Sequence, residues 1–174
     1  MITNLVPSFI FTISKKLKII ESVIGIMILI LLILRIESFR IFDFLMIISL
    51  TSLSILYFLQ SFLIIADKTD DKIDNFIYKL SFMNLSINVV GILFRLEDWP
   101  GYETYIFSSS TLEILIIATI FYFQSKRPIS KIIDTRLKIR IVLLAAIDSL
   151  LLFTPEKDLK KLGIINDSKI EIEY

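Results

Sequence analysis

The chain has 174 residues, 55% hydrophobic and 21% charged, with a net charge of +1 and a mean hydropathy of +0.77. Soluble domains are about 45–50% apolar, so an integral membrane protein is the economical reading, and the near-zero charge leaves no basis for a nucleic-acid partner. With no cysteine and no histidine, disulfides, thiol catalysis, cysteine metal centres and the commonest general base are all excluded.

The N-terminal segment, 1–16, places Leu5, Val6, Phe9, Ile10 and Ile13 on one helical face. Lys15, Lys16 and Lys18 follow. This predicts a short interfacial helix. A membrane-crossing helix needs about 20 mostly apolar residues, and four windows qualify within 17–124. They are 17–36, 42–66, 76–96 and 105–124. The first ends in "LILRIES", not in a small-residue cleavage site, so it reads as a retained helix. Glu21 lies near its inner end and is expected at the interface.

The third span carries Ser81, Asn84, Asn88, Gly91 and Arg95 at spacings of three and four. That puts them on one face, as a packing seam of small and amide residues. The stretch "FRLEDWPGYE" then interrupts two apolar runs. Trp99 suits headgroup depth, Pro100 stops a helix and Gly101 permits reversal, so these three form an interfacial turn. The fourth span buries Glu113 near mid-membrane, where a carboxylate is costly and a functional candidate by default. Levelling Leu96 with Tyr105 sets Glu113 beside Asn88, with Arg95 further out. Glu113, Asn88 and Arg95 are therefore the candidates for proton or ion coupling.

Beyond this lies a basic linker and apolar helix, 125–153. Its apolar part, 139–153, is short for a span and is expected to lie along the membrane, with a fifth crossing as the alternative. Arg140 and Asp148 are expected on its polar face. The tail, 154–174, is read as cytoplasmic. Thr154 is placed to cap a short helix ended by Gly163, and "KIEIEY" could form an edge strand.

Charge asymmetry sets orientation. With four spans, 16 of the 19 basic residues fall on the N-terminal side, and a fifth span lowers this to 12 against 7. This favours both termini inside. "RIESF" at 35–39 and "RLEDW" at 95–99 echo one another, which suggests tandem hairpins.

The stretch "VVGILFRLEDWPGYETYIFSSSTLEILIIATIFYF", 89–123, resembles the N-terminal transmembrane hairpin of the GldL-type gliding-motility and type IX secretion motor proteins of Bacteroidota. Gly91, Leu93, Phe94, Arg95, Trp99, Pro100, Gly101 and Glu113 carry the likeness, with an echo at 25–58. The resemblance implies an inner-membrane location. It also implies a buried acid at Glu113 that uses the proton gradient, with Arg95 as basic partner.

The expectation is an all-α integral membrane protein with four transmembrane helices in two tandem hairpins, N-in and C-in, with interfacial helices at both ends. Its location is the bacterial cytoplasmic membrane. Without a clustered nucleophile and base it is not expected to be an enzyme or to need a cofactor. Its partners are the lipid bilayer and either another membrane protein or further copies of itself. The leading role is a structural or interaction component of an envelope complex. The alternative is a proton- or ion-coupled motor or transport subunit.

Overall fold

The computed structural model describes residues 6–36, 41–63, 72–126 and 135–165. It contains six helices and no strand among these residues: α1 (Val6–Ile36), α2 (Ile41–Leu63), α3 (Lys72–Leu96), α4 (Tyr102–Lys126), α5 (Thr135–Phe153) and α6 (Glu156–Lys161). Among the described residues, three helices are long and apolar enough to cross a membrane, within α2, α3 and α4.

Helices α1 to α5 run up and down in sequence. At one end Arg35, closing α1, meets Asp43 in the first turn of α2 and Glu97 just past α3. At the other end Tyr57 of α2 donates to Glu21 of α1, and Arg140 of α5 pairs with the same carboxylate. Helix α3 is central and packs against α2, α4 and α5. Ser54 and Ser86 hold α2 to α3, each hydroxyl reaching the other residue's carbonyl at 3.1 and 2.9 Å.

The distribution of side chains is inverted relative to a water-soluble bundle. Phe44, Phe58, Phe107, Ile114, Phe121, Val142 and Phe153 face outward, while Ser49, Gln60, Ser61, Asn84, Asn88, Glu113 and Asp148 are buried. Such an apolar perimeter demands lipid or protein cover. The polar interior satisfies interhelical contacts that lipid cannot.

Helix α3 ends in a Schellman cap. Trp99 N–H bonds the Phe94 carbonyl at 2.8 Å and Asp98 N–H bonds that of Arg95 at 3.3 Å. Asp98 takes the left-handed conformation at φ 52°, and the Trp99 and Phe94 rings meet edge to face at 5.1 Å. Gly101, at φ 89°, completes the reversal.

Two expectations change. The N-terminal segment is not a separate interfacial helix, because α1 runs unbroken from Val6 to Ile36. Helix α5 does not lie across the bundle. It packs along α3 and α4, from Arg140 at the Glu21 end to Phe153 at the Asp98 end. It follows that α6 and the N-terminal part of α1 stand at opposite ends of the bundle. Three interior attachments for Asp148 outweigh its apparent fit to an amphipathic surface helix.

Helix α6 starts after Pro155, without a side-chain cap from Thr154, and closes at Gly163 at φ 69°. Residues 1–5, 37–40, 64–71, 127–134 and 166–174 lie outside the described residues. They include the end of the second expected span, part of the basic linker and "KIEIEY".

Candidate functional site

The spacing of three and four along α3 brings its polar seam against α4 and α5. Asn84 donates to the Ser109 carbonyl at 3.2 Å. Gly91 allows the closest helix approach. A Cβ there would stand 3.2 Å from Tyr105 Cβ and 3.2 Å from Ile106 Cγ1. Ser81 turns back to the carbonyl of Ile77 within its own helix.

Gly91 facing Tyr105 and Ile106 fixes the register between α3 and α4. Two turns deeper, Glu113 comes level with Asn84 rather than with Asn88. The expected register was about one turn off, because α4 begins at Tyr102 and not at Tyr105. Asn88 instead stands level with Ser109, and its amide donates to Asp148 Oδ2 at 2.5 Å. Ser110 and Ser109 bring hydroxyls to the same oxygen at 3.4 and 3.3 Å, the single O–H of Ser109 being shared with the Ile106 carbonyl at 3.0 Å. One carboxylate oxygen of α5 thus gathers donors from α3 and α4.

Glu113 and Asp148 form the core of the site, at 2% and 0% exposure. Glu113 lies one helical turn along α4 from Ser109 and Ser110, whose hydroxyls reach Asp148. Four acceptor oxygens here, Glu113 Oε1, Asp148 Oδ1, Asn84 Oδ1 and Asn88 Oδ1, are buried without a hydrogen-bond partner. Buried acceptors are nearly always satisfied. Each of these orphans is an oxygen, so the cluster is short of donors or positive charge.

Arg95 does not supply that charge. Its guanidinium lies over the Tyr102 ring, 4.2 Å from the centroid, at the N-terminal end of α4. Trp99, Pro100 and Gly101 form the turn beyond it. Among the described residues no group of three or more acidic side chains could hold a metal ion.

The sequence pointed to Glu113 and Asn88 but missed Asp148, Ser109 and Ser110 as their company. Asp148 was visible as a lone acid in an apolar helix. The signal that it faces inward was its distance from every basic residue on its own helix except Arg140, two turns away, which Glu21 takes.

Comparison with protein-family models, curated proteins and solved structures gives no match.

Proposed function

We propose that this chain is a small multi-pass protein of the bacterial cytoplasmic membrane whose Glu113–Asp148 pair takes up and releases a proton, as the coupling element of a membrane assembly. The observation that carries this reading is the donor-poor cluster of four orphan oxygens around two buried acids. A proton taken up by either acid gives this cluster a donor and removes a charge that an apolar interior tolerates badly. The likeness of 89–123 to a motor hairpin with a buried acid agrees with it. In this reading α1 and α5 also cross the bilayer, giving five passes. The N-terminal face, with 12 basic residues against 7, then lies in the cytoplasm.

The test is pH-difference infrared spectroscopy on the reconstituted protein. A carboxylic C=O band that follows bulk pH, and changes in Glu113→Gln and in Asp148→Asn, supports the proposal. A spectrum in which no band of either acid responds across the range where the protein is folded contradicts it.

One observation favours a second reading, a structural and interaction component. Asp148 Oδ2 is held by three donors from two helices, which by itself fixes the register of α3, α4 and α5. On that reading Glu113→Gln leaves both fold and activity of the assembly unchanged.

A further inference from the structure

Arg35 and Arg95 occupy matching places in the internal echo, yet their surroundings differ. Arg35 is saturated by Asp43, Glu97 and the Leu96 carbonyl. Arg95 is 4% exposed, and its Nε and Nη1 have no hydrogen-bond partner. Buried guanidinium nitrogens without an acceptor are costly, and the planar fork of arginine matches the oxygens of a phosphate.

Arg95 borders an open groove of about 530 Å³ between the start of α4 and the end of α5. Tyr102 and Glu103 border it too. Phe107, Ser108 and Leu152 also line it, the first two about one turn further along α4. Phe107 and Leu152 are exposed apolar side chains, suited to lipid tails. Trp99 in the adjoining turn suits headgroup depth. The groove is therefore cationic and polar where headgroups lie and apolar one turn deeper. It also contains an anion. Glu103 is exposed, and its Oε1 accepts from Tyr102 Oη at 3.3 Å. An anionic headgroup alone would meet repulsion there, whereas a headgroup with an ammonium beside its phosphate fits both charges.

We infer that this groove binds a phospholipid carrying a primary amine, with the phosphate on Arg95 and the ammonium on Glu103. The site shares no residue with the carboxyl pair, and its ligand chemistry is that of a phosphate ester with an amine a few bonds away.

The test is native mass spectrometry of the full chain released from mild detergent, titrated separately with phosphatidylethanolamine, phosphatidylglycerol and inorganic phosphate. One phosphatidylethanolamine should stay bound in preference to phosphatidylglycerol. Arg95→Gln should weaken its retention about tenfold or more, because a charge-assisted contact to the phosphate is lost. That variant removes an unpaired buried charge, so the fold should persist. Ser108→Phe, a substitution at an exposed position that fills the groove and leaves Arg95 in place, should also prevent retention. Glu103→Gln should equalise the two lipids. Equal retention by the wild type, Arg95→Gln and Ser108→Phe would overturn the site. Competition by inorganic phosphate at lipid concentrations would make it a free-anion site instead. A wild-type preference for phosphatidylglycerol would overturn the role of the amine.

Discussion

The hydrogen bonds of single residues decide which polar groups this bundle can bury. Arg35 and Glu97 are 5% and 4% exposed at the side chain and lie 2.9 Å apart. Removing one member of a buried pair strands the other. Arg35→Gln should therefore cost about 3 kcal/mol or more, and Glu97→Gln added to it should recover part of that loss. Denaturant titration in mixed micelles reads both. The Asn88–Asp148 bond has a different scale, because interhelical hydrogen bonds within membranes are weak on average. Asn88→Ala should cost about 1–2 kcal/mol, and a double-mutant cycle with Asp148→Ala should give a coupling of about 1 kcal/mol. A coupling near zero would mean that the two side chains do not meet. Serine hydroxyls could not have announced their part. Of Ser108, Ser109 and Ser110 in α4, only the latter two reach Asp148, and all three look alike in sequence.

At the scale of elements, glycine position separates packing from propensity. Gly91 stands where α3 touches α4, and an added Cβ would press on Tyr105, Ile106 and its backbone nitrogen. Gly91→Ala should destabilise the bundle by about 1–3 kcal/mol. Gly25, in α1, has nothing within 4 Å of an added Cβ. Gly25→Ala should be neutral or stabilise by about 0.5–1 kcal/mol, through helix propensity. Opposite signs for the two changes would be seen in the same unfolding titration. The seam was legible because its period is that of a helix. The register was not, since it depends on where α4 starts, and Pro100 and Gly101 mark a turn without fixing its last residue.

Helix α6 is tethered by Lys160, whose ammonium donates to Glu156 and to Asp98, at 2.6 and 3.1 Å. These bonds, that to Glu156 first, hold the Lys160 pKa above its ordinary value of 10.5. With the folded pKa above the unfolded one, the contribution is complete below the ordinary lysine value and fades only as pH rises through the folded one. Between about pH 7 and about pH 9 the tether should not change. Lys160→Met should lower the amide protection factors across α6, corrected for the intrinsic base-catalysed rate, at both pH values, while a wild-type protection factor that falls at the higher pH would contradict this assignment.

For the whole molecule, the carboxyl pair exists only because α5 runs the length of the bundle and carries Asp148 into it. Charge counting pointed the other way. It weighed 16 basic residues against 3 and favoured keeping the C-terminal lysines with the N-terminus. That rule registers loop charges and takes no account of a buried acid that binds one helix to two others. The all-helical class and the apolar perimeter were legible because composition alone demands them. The path of α5 was not, because 139–153 is too short and too charged to be read as a full-length helix of the bundle. Its cost is met inside the bundle, by Glu21 for Arg140 and by Asn88, Ser109 and Ser110 for Asp148.

The most direct test uses the absence of cysteine from the chain. Lys16→Cys, Glu103→Cys and Lys157→Cys each create a unique thiol at an exposed position. Labelling in sealed, oriented vesicles with a membrane-impermeant maleimide then reports the side of each. The fold predicts that Lys157→Cys and Glu103→Cys label together from one side and Lys16→Cys from the other. Labelling of Lys157→Cys from the same side as Lys16→Cys would mean that α5 does not traverse the bundle, and the Glu113–Asp148 pair would fall with it.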